Sequence, residues 1–231
     1  MIVGVDGYKR GWIAAIDGPD GDTRIEVFAT FSDIAKRAGF KLVVIDVPIG
    51  LPDLGPRCAD VEARRLLKRR GCCVFPAPIR PLLKCHTHAQ ASQERRRLEG
   101  KGCSIQLSSI IPKIKEVDDL MATDIGLKSR VREGHPEVTF AVMNGGGAIP
   151  VSKHKSEGRK IRLELLQLWF GDQPRAAVDT NSKEACEDII DAYAMLWTAR
   201  RIFNHDPELR EFPSGEAAVD SMIGVPMKIS A

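Results

Sequence analysis

The chain of 231 residues contains no apolar run near the ~20 residues that a membrane-spanning helix needs, so no membrane span is expected within it. It also lacks internal repeats and low-complexity segments, which excludes a solenoid or a flexible array. Its first ten residues read as a strand and a polar turn, not as a basic stretch leading into an apolar one. No secretory signal is therefore expected, and the expected compartment is the cytoplasm. None of the six cysteines forms a CxxC pair. Cys72, Cys73, Cys85, His86 and His88 are zinc-type donors at a spacing poor for zinc, and reduced thiols are the better reading in a chain of this length.

What is present is ordinary in amount and uneven in distribution. A hydrophobic content of 43% and a charged content of 28% suit one globular domain spanning residues 1–231. The net charge is only +3. From Arg57 to Lys101, however, twelve Lys or Arg face four acids, a local +8 that leaves −5 for the rest. Such a basic segment beside an acidic body suits attraction of a phosphate-rich partner, although charge runs such as "ARRLLKRR" also occur simply as solvated helix faces.

The order of elements points to an α/β fold. "MIVGVDG", "GWIAAIDG" and "DTRIEVFAT" read as three strands of an antiparallel meander. Residues 31–38 read as a short helix with Ser32 as N-cap and Gly39 as its stop. "KLVVIDVPIG" follows, β-branched and apolar on both faces, as a buried strand reached by a parallel crossover. Residues 50–130 read as a helical, basic insertion. Its helices are one capped by Asp60 and ended by Gly71, one over His88 to Leu98, and one with Pro112 in its first turn. Beyond it the spacing predicts a strand from Glu137 to Met143, a Gly-rich loop, an amphipathic helix ended by Gly171, a long last helix over 183–203, and a tail that is either an edge strand or loose.

Acids stand where these elements end. Asp6 and Asp46 lie at the C-terminal ends of the first strand and of the buried strand, and would share one sheet edge if those strands are adjacent and parallel. An aspartate at a strand end is also an ordinary turn former. In the last helix, "EDIIDAYAML", three residues advance about 300°, so Asp188 and Asp191 share a face one turn apart. The neighbouring face, Ile189, Ile190, Tyr193 and Trp197, must approach a core. Four carboxylates converging there would require cations, and an all-oxygen set favours Mg²⁺ or Mn²⁺. The alternative is an exposed acidic helix edge.

Together these features resemble the RNase H-like superfamily, with a last-helix pattern Asp188-x-x-Asp191 similar to Holliday-junction resolvases of the RuvC type. More narrowly, "GVDG", "GW", "IDVPIGLP", "VFPAP", "PKIKEVD", "HPEVTF", "NGG", "SKHKSEGR" and "DIIDAYA" resemble the bacterial and archaeal family of predicted RNase H-like nucleases, DUF429, from Ile2 to about Arg201. The resemblance implies an RNase H-like mixed sheet, three antiparallel strands and then parallel ones, flanked by helices. It implies a metal-binding set of Asp6, Asp46, Asp188 and Asp191. Glu137, in "HPEV", is either a fifth ligand or a structural acid beside His135.

The activity so implied is two-metal hydrolysis of phosphodiester bonds in DNA or RNA, with Lys153, Lys155 and Arg159 of the Gly-rich loop, and Arg57, Arg64, Arg80 and His135, as candidate substrate contacts. Two other classes stay open: a nucleic-acid or nucleotide binder without turnover, and an actin-like ATPase or kinase. The last would require two related halves with duplicated Gly-rich loops. The oligomeric state is open, a homodimer included.

Overall fold

A computed structural model describes every residue of the chain except Arg10 and Ala38. Strands β1 (Ile2–Tyr8), β2 (Gly11–Asp17) and β3 (Thr23–Phe28) form the antiparallel meander, with Val5 opposite Ala14 and Ala15 opposite Ile25. β4 (Leu42–Ile45) pairs parallel with β1, and β5 (Val131–Glu133) pairs parallel with β4, giving the sheet order β3-β2-β1-β4-β5. The result is an α/β fold: a mixed sheet of antiparallel and parallel strands flanked by helices.

Several local readings need correction. Helix α1 (Phe31–Ala35) is capped by Thr30, not Ser32. The Thr30 hydroxyl accepts from the Asp33 backbone N–H, while the Asp33 carboxylate accepts from that of Thr30, a capping box one residue pair earlier than expected. The far end of the expected helix, at Ala38, lies outside the described residues.

In the insertion, α2 (Cys58–Leu67) starts after Arg57, so Asp60 lies inside its first turn, and a 3₁₀ turn over Lys68–Cys73 replaces its expected last turn. α3 (His88–Glu99) falls where expected. α4 (Ile105–Thr123) begins at a Ser104 cap, which puts Pro112 in its interior; the helix persists because Leu107, Ile111, Ile114 and Val117 are buried along one side. A short α5 (Ile125–Arg130) completes the insertion.

The largest correction concerns "EVTFAVM", which is a helix, α6 (Pro136–Met143), and not a strand. Every residue from Pro136 to Ala141 is buried, so the run is apolar on all sides and carries no period that would distinguish helix from strand. Pro136 at the first helical position is the signal that decides it. The strand lies just upstream, at β5.

Helices α7 (Ser156–Phe170), α8 (Gln173–Thr180) and α9 (Cys186–Phe203) follow. The tail is paired, since β6 (Glu211–Phe212) and β7 (Ile229–Ser230) form a two-stranded ribbon and Ser230 bridges to Gly134. Among the described residues no helix is long and apolar enough to cross a membrane.

Alternation along the strands separates two cores. Val3, Val5, Val43 and Ile45 pack with α1 and α4, while Ile2, Ile13, Leu42 and Val44 pack with α7 and α9. Helix α9 lies directly on β1. A Cβ built at Gly4 would come within 2.0 Å of the Leu196 nitrogen and 2.2 Å of the Ala192 oxygen, so only glycine permits this approach of two main chains.

Candidate active site

The period of two that sends Ile2 and Gly4 toward α9 sends Asp6 the same way, and Leu42, Val44 and Asp46 follow suit on the neighbouring strand. The parallel register matches Gly4 with Val44 and Val5 with Ile45, and the Asp46 N–H donates to the Val5 carbonyl at 3.0 Å, so Asp6 and Asp46 are the next pair. With Ala192 seated on Gly4, the preceding turn of α9 brings Asp188 and Asp191 to the level of Asp6. The acids expected to converge do converge, at the C-terminal edge of the parallel strands.

Their electrostatics express the crowding. The Asp6 carboxyl is pushed well above the usual carboxylate range by burial first, then by the charges of Asp191 and Asp46. Burial likewise raises Asp46, which His135 opposes and Asp191 reinforces. Burial raises Asp191 against the opposing charge of Lys153, and burial together with Asp191 pushes Asp188 up to about 6. One Asp6 oxygen accepts from the Gly7 N–H at 2.7 Å. The Asp191 Oδ1 is buried with no partner among the described residues.

The positive charge among these acids is Lys153, whose ammonium pairs with Asp191 Oδ2. Burial works against that ammonium, but Asp191 and Asp6 outweigh it and hold it protonated. The loop that carries it is pinned. The Arg162 guanidinium donates to the Val151 and Gly158 carbonyls at 3.1 and 2.8 Å, and Arg159 donates to the His154 carbonyl at 3.0 Å. Gly158 packs so tightly that a Cβ there would sit 2.0 Å from the Ser152 oxygen. Glu187 ties the same loop to α9 through His154 and Arg159. The Gly-rich segment therefore ends in a rigid seat for Lys153, while Lys155 is exposed at the cap of α7.

A second ammonium was not foreseen. Lys113 of α4 reaches the Gly11 carbonyl, lies 4.4 Å from the Trp12 ring and contacts Gly7 at the cluster's edge. Burial lowers its pKa, against the pull of Glu116, Asp6 and Asp188. It belongs to the "PKIKEVD" stretch, whose resemblance value was plain but whose geometry was not.

The other candidates are placed differently. Arg57 is buried and fully engaged: Nη2 meets Asp60 at 2.6 Å and Glu133 at 2.7 Å, and Nη1 meets Glu133 at 2.7 Å and the Ile49 and Gly50 carbonyls. Arg80 joins Asp118 at 2.9 Å and also Asp220. Glu137 is bonded to Arg162 at 2.9 and 2.7 Å and also lines the cleft beside Asp46. Arg64 donates to the Val74 carbonyl at 2.6 Å. Arg95 and Arg97 are paired to Glu99 and Glu94, whereas Arg65, Lys68, Arg69 and Arg70, at the end of α2 and in the turn after it, form no ion pair among the described residues.

Beside the acids opens a cleft of about 470 Å³, lined by Asp46, His135, Lys153, Arg70, Cys73 and Phe75 among others. Asp6, Asp188 and Asp191 stand outside its lining, so Asp46 and Lys153 are the link between cluster and cleft. Cys72 also faces this cleft, whereas Cys85 and His86 line a separate surface groove.

The donor chemistry fits a hard divalent cation: carboxylate oxygens, one of them buried and partnerless, with mutual repulsion to relieve. Among the described residues no three acid, His or Cys groups form a preformed ligand set, and the Lys153 ammonium supplies the counter-charge.

Fold and site thus define an α/β protein with a buried carboxylate cluster at the edge of its parallel strands. The chain belongs to the DUF429 family, described as protein of unknown function, whose profile matches residues 4–218. No curated protein and no solved structure matches it significantly.

Proposed function

We propose that the protein is a divalent-metal-dependent phosphodiesterase acting on nucleic acid, of RNase H-like fold. Support comes from the strand order, three antiparallel strands followed by parallel neighbours of β1, and from acids at the ends of β1 and β4 facing acids of the last helix. The observation that carries the reading is the burial of Asp6, Asp46 and Asp191 at one sheet edge, which raises all three carboxyls, with Asp191 adding repulsion at Asp6 and Asp46, while one Asp191 oxygen has no partner among the described residues.

Asp6, Asp46, Asp188 and Asp191 would hold Mg²⁺ or Mn²⁺, which would lower the pKa of an attacking water and offset charge on the leaving oxygen. Asp6 is fixed by the central strand and Asp191 by the buried helix, so neither can relax away from the other. Asp188, half-buried with a carboxyl near 6, is suited to orient water or to take its proton. Lys153 neutralises Asp191 before a metal arrives and is free to meet a phosphate oxygen afterwards. His135 stands at the cleft wall beside Asp46.

The partner is nucleic acid, the compartment the cytoplasm, and a homodimer is compatible with the exposed surface. A second reading, a nucleotide binder without turnover, is favoured by one observation: Lys153 already occupies the position of a cation. The deciding experiment incubates the purified protein with Mn²⁺ or Mg²⁺ and labelled single-stranded, duplex and branched DNA and RNA. Cleavage that disappears in Asp6→Asn while binding persists supports the enzyme. Binding without cleavage of any substrate supports the binder.

A further inference from the structure

The cleft beside Asp46 has chemistry of its own. Arg70 is half-buried, forms no ion pair among the described residues, and its Nε is buried with no hydrogen-bond partner. The His135 Nδ1, in the lining of the same cleft, is likewise buried and without a partner among the described residues. Two buried nitrogens of residues lining one cavity, with no partner among the described residues, are costly unless a ligand satisfies them.

An anionic group fits the Arg70 side, because three of the acids lining the cleft are already engaged, Glu137 with Arg162 and Asp60 and Glu133 with Arg57, which leaves Asp46 as the lining acid without an ion pair among the described residues. The ligand must also carry an apolar, flat part. Val74, Phe75, Ile110 and Pro136 line the same space, and Phe75 leaves half of its side chain in solvent, which is unusual for a phenylalanine with no role there.

We propose that this cleft is a subsite for one unpaired nucleotide, with its phosphate between Arg70 and His135 and its base against Phe75. The shared chemistry is that of a free nucleoside monophosphate or of the unpaired end of a strand. A volume of about 470 Å³ falls in the ~300–1,000 Å³ range of small-ligand pockets. A base stacked inside a duplex cannot reach such a cavity, whereas an unpaired base can stack on an aromatic ring. Arg65, Lys68 and Arg69, exposed on the end of α2 and the turn that carries Arg70, continue the positive charge beyond the cleft, where the phosphates of an attached strand would lie.

This inference rests on the phosphodiesterase reading for its orientation toward Asp46, but its test does not need turnover. Binding of dAMP, deoxyadenosine, a duplex with a single-stranded overhang and a blunt duplex is measured by calorimetry on the Asp6→Asn protein in EDTA. The expected result is binding of dAMP and of the overhang, with deoxyadenosine at least ~tenfold weaker and the blunt duplex weaker than the overhang. Arg70→Gln and, separately, Phe75→Ala should each weaken dAMP at least ~tenfold with unchanged melting temperature. Phe75 is exposed, so its truncation tests the site even if Arg70→Gln impairs folding.

Absence of dAMP and overhang binding, unchanged affinity in both variants, or a blunt duplex bound as well as the overhang overturns the proposal. The two readings fail separately. The binding pattern without cleavage in Mn²⁺ removes the enzyme and keeps the subsite, whereas cleavage of blunt duplex interiors by the wild-type protein keeps the enzyme and removes the subsite.

Discussion

Two groups of buried charge lie a short distance apart in this molecule and are built on opposite rules. Around Arg57, one guanidinium is bracketed by Asp60 and Glu133, and each of its nitrogens has a partner between 2.6 and 3.2 Å. Arg80 is held through its two terminal nitrogens by Asp118 and Asp220, its Nε having no partner among the described residues, and it ties the insertion to the C-terminal segment. Around Asp6, four carboxylates share Lys153 and, at the edge, Lys113; burial raises these acids as it raises Glu133 beside Arg57, but here one oxygen has no partner among the described residues. Saturated charge acts as a staple. Unsaturated charge, retained at a cost, marks where something is meant to bind.

The sharpest way to break this contrast is to remove one charge from each group. Arg57→Met leaves Asp60 and Glu133 buried without their cation and should destabilise the protein by about 3–5 kcal/mol, measured by denaturant unfolding. A loss under about 1 kcal/mol would show the staple to be dispensable. In the acid cluster the corresponding gain comes from a ligand: Mn²⁺ at about a hundred times its dissociation constant should add about 2.7 kcal/mol to stability at pH 7.5. An unchanged melting temperature over a wide Mn²⁺ range would remove the metal site.

Lys153→Met is next in size. It should cost about 1–3 kcal/mol without metal, because Asp191 loses its one side-chain partner among the described residues, yet it should tighten Mn²⁺ binding by removing a competing charge. Weaker Mn²⁺ binding in this variant would mean that the lysine supports the metal instead. Asp6→Asn should shift stability the other way, by about 1 kcal/mol upward in EDTA at pH 8, since it relieves repulsion and can keep the bond from Gly7.

The most gradual effect is that of pH. The folded protein holds the Asp188 proton more tightly than the unfolded chain between the ordinary value of 3.8 and about 6. The contribution of Asp188 to stability in EDTA, read as the difference between the wild-type protein and Asp188→Asn, is therefore most favourable below that window and declines as pH rises through it, and the raised Asp6, Asp46 and Asp191 contribute with the same sign. A contribution that rises over the same interval would contradict the assigned repulsion.

Much of the acid cluster was legible because it depends on periodicity. Asp6 and Asp46 end β-branched runs, and Asp188 and Asp191 are one turn apart, so direction followed from spacing of two and of three to four. What was not legible depended on pairing over long separations. Nothing near Arg57 announces that Glu133, 76 residues away, will meet it, nor near Arg80 that Asp220 will. A basic segment read as a surface for phosphate thus contains two arginines of the interior.

Arg70 was passed over for the opposite reason: its neighbours Lys68 and Arg69 are exposed, and only the tight turn after α2 swings it toward the cleft. The helix at "EVTFAVM" was read as a strand because complete burial erased the period that would have identified it.

The contact at Gly4 governs how this protein can vary. Because the α9 main chain rests on the β1 main chain with no side chain between them, the spacing of the backbones that carry Asp6 and Asp191 is set by the two elements and not by the size of an intervening residue. Adjustment to a larger or smaller ion falls to the side chains, those of the carboxylates and of Lys153. Descendants of this sequence that change their preferred ion should therefore differ first at these side chains and leave Gly4 untouched.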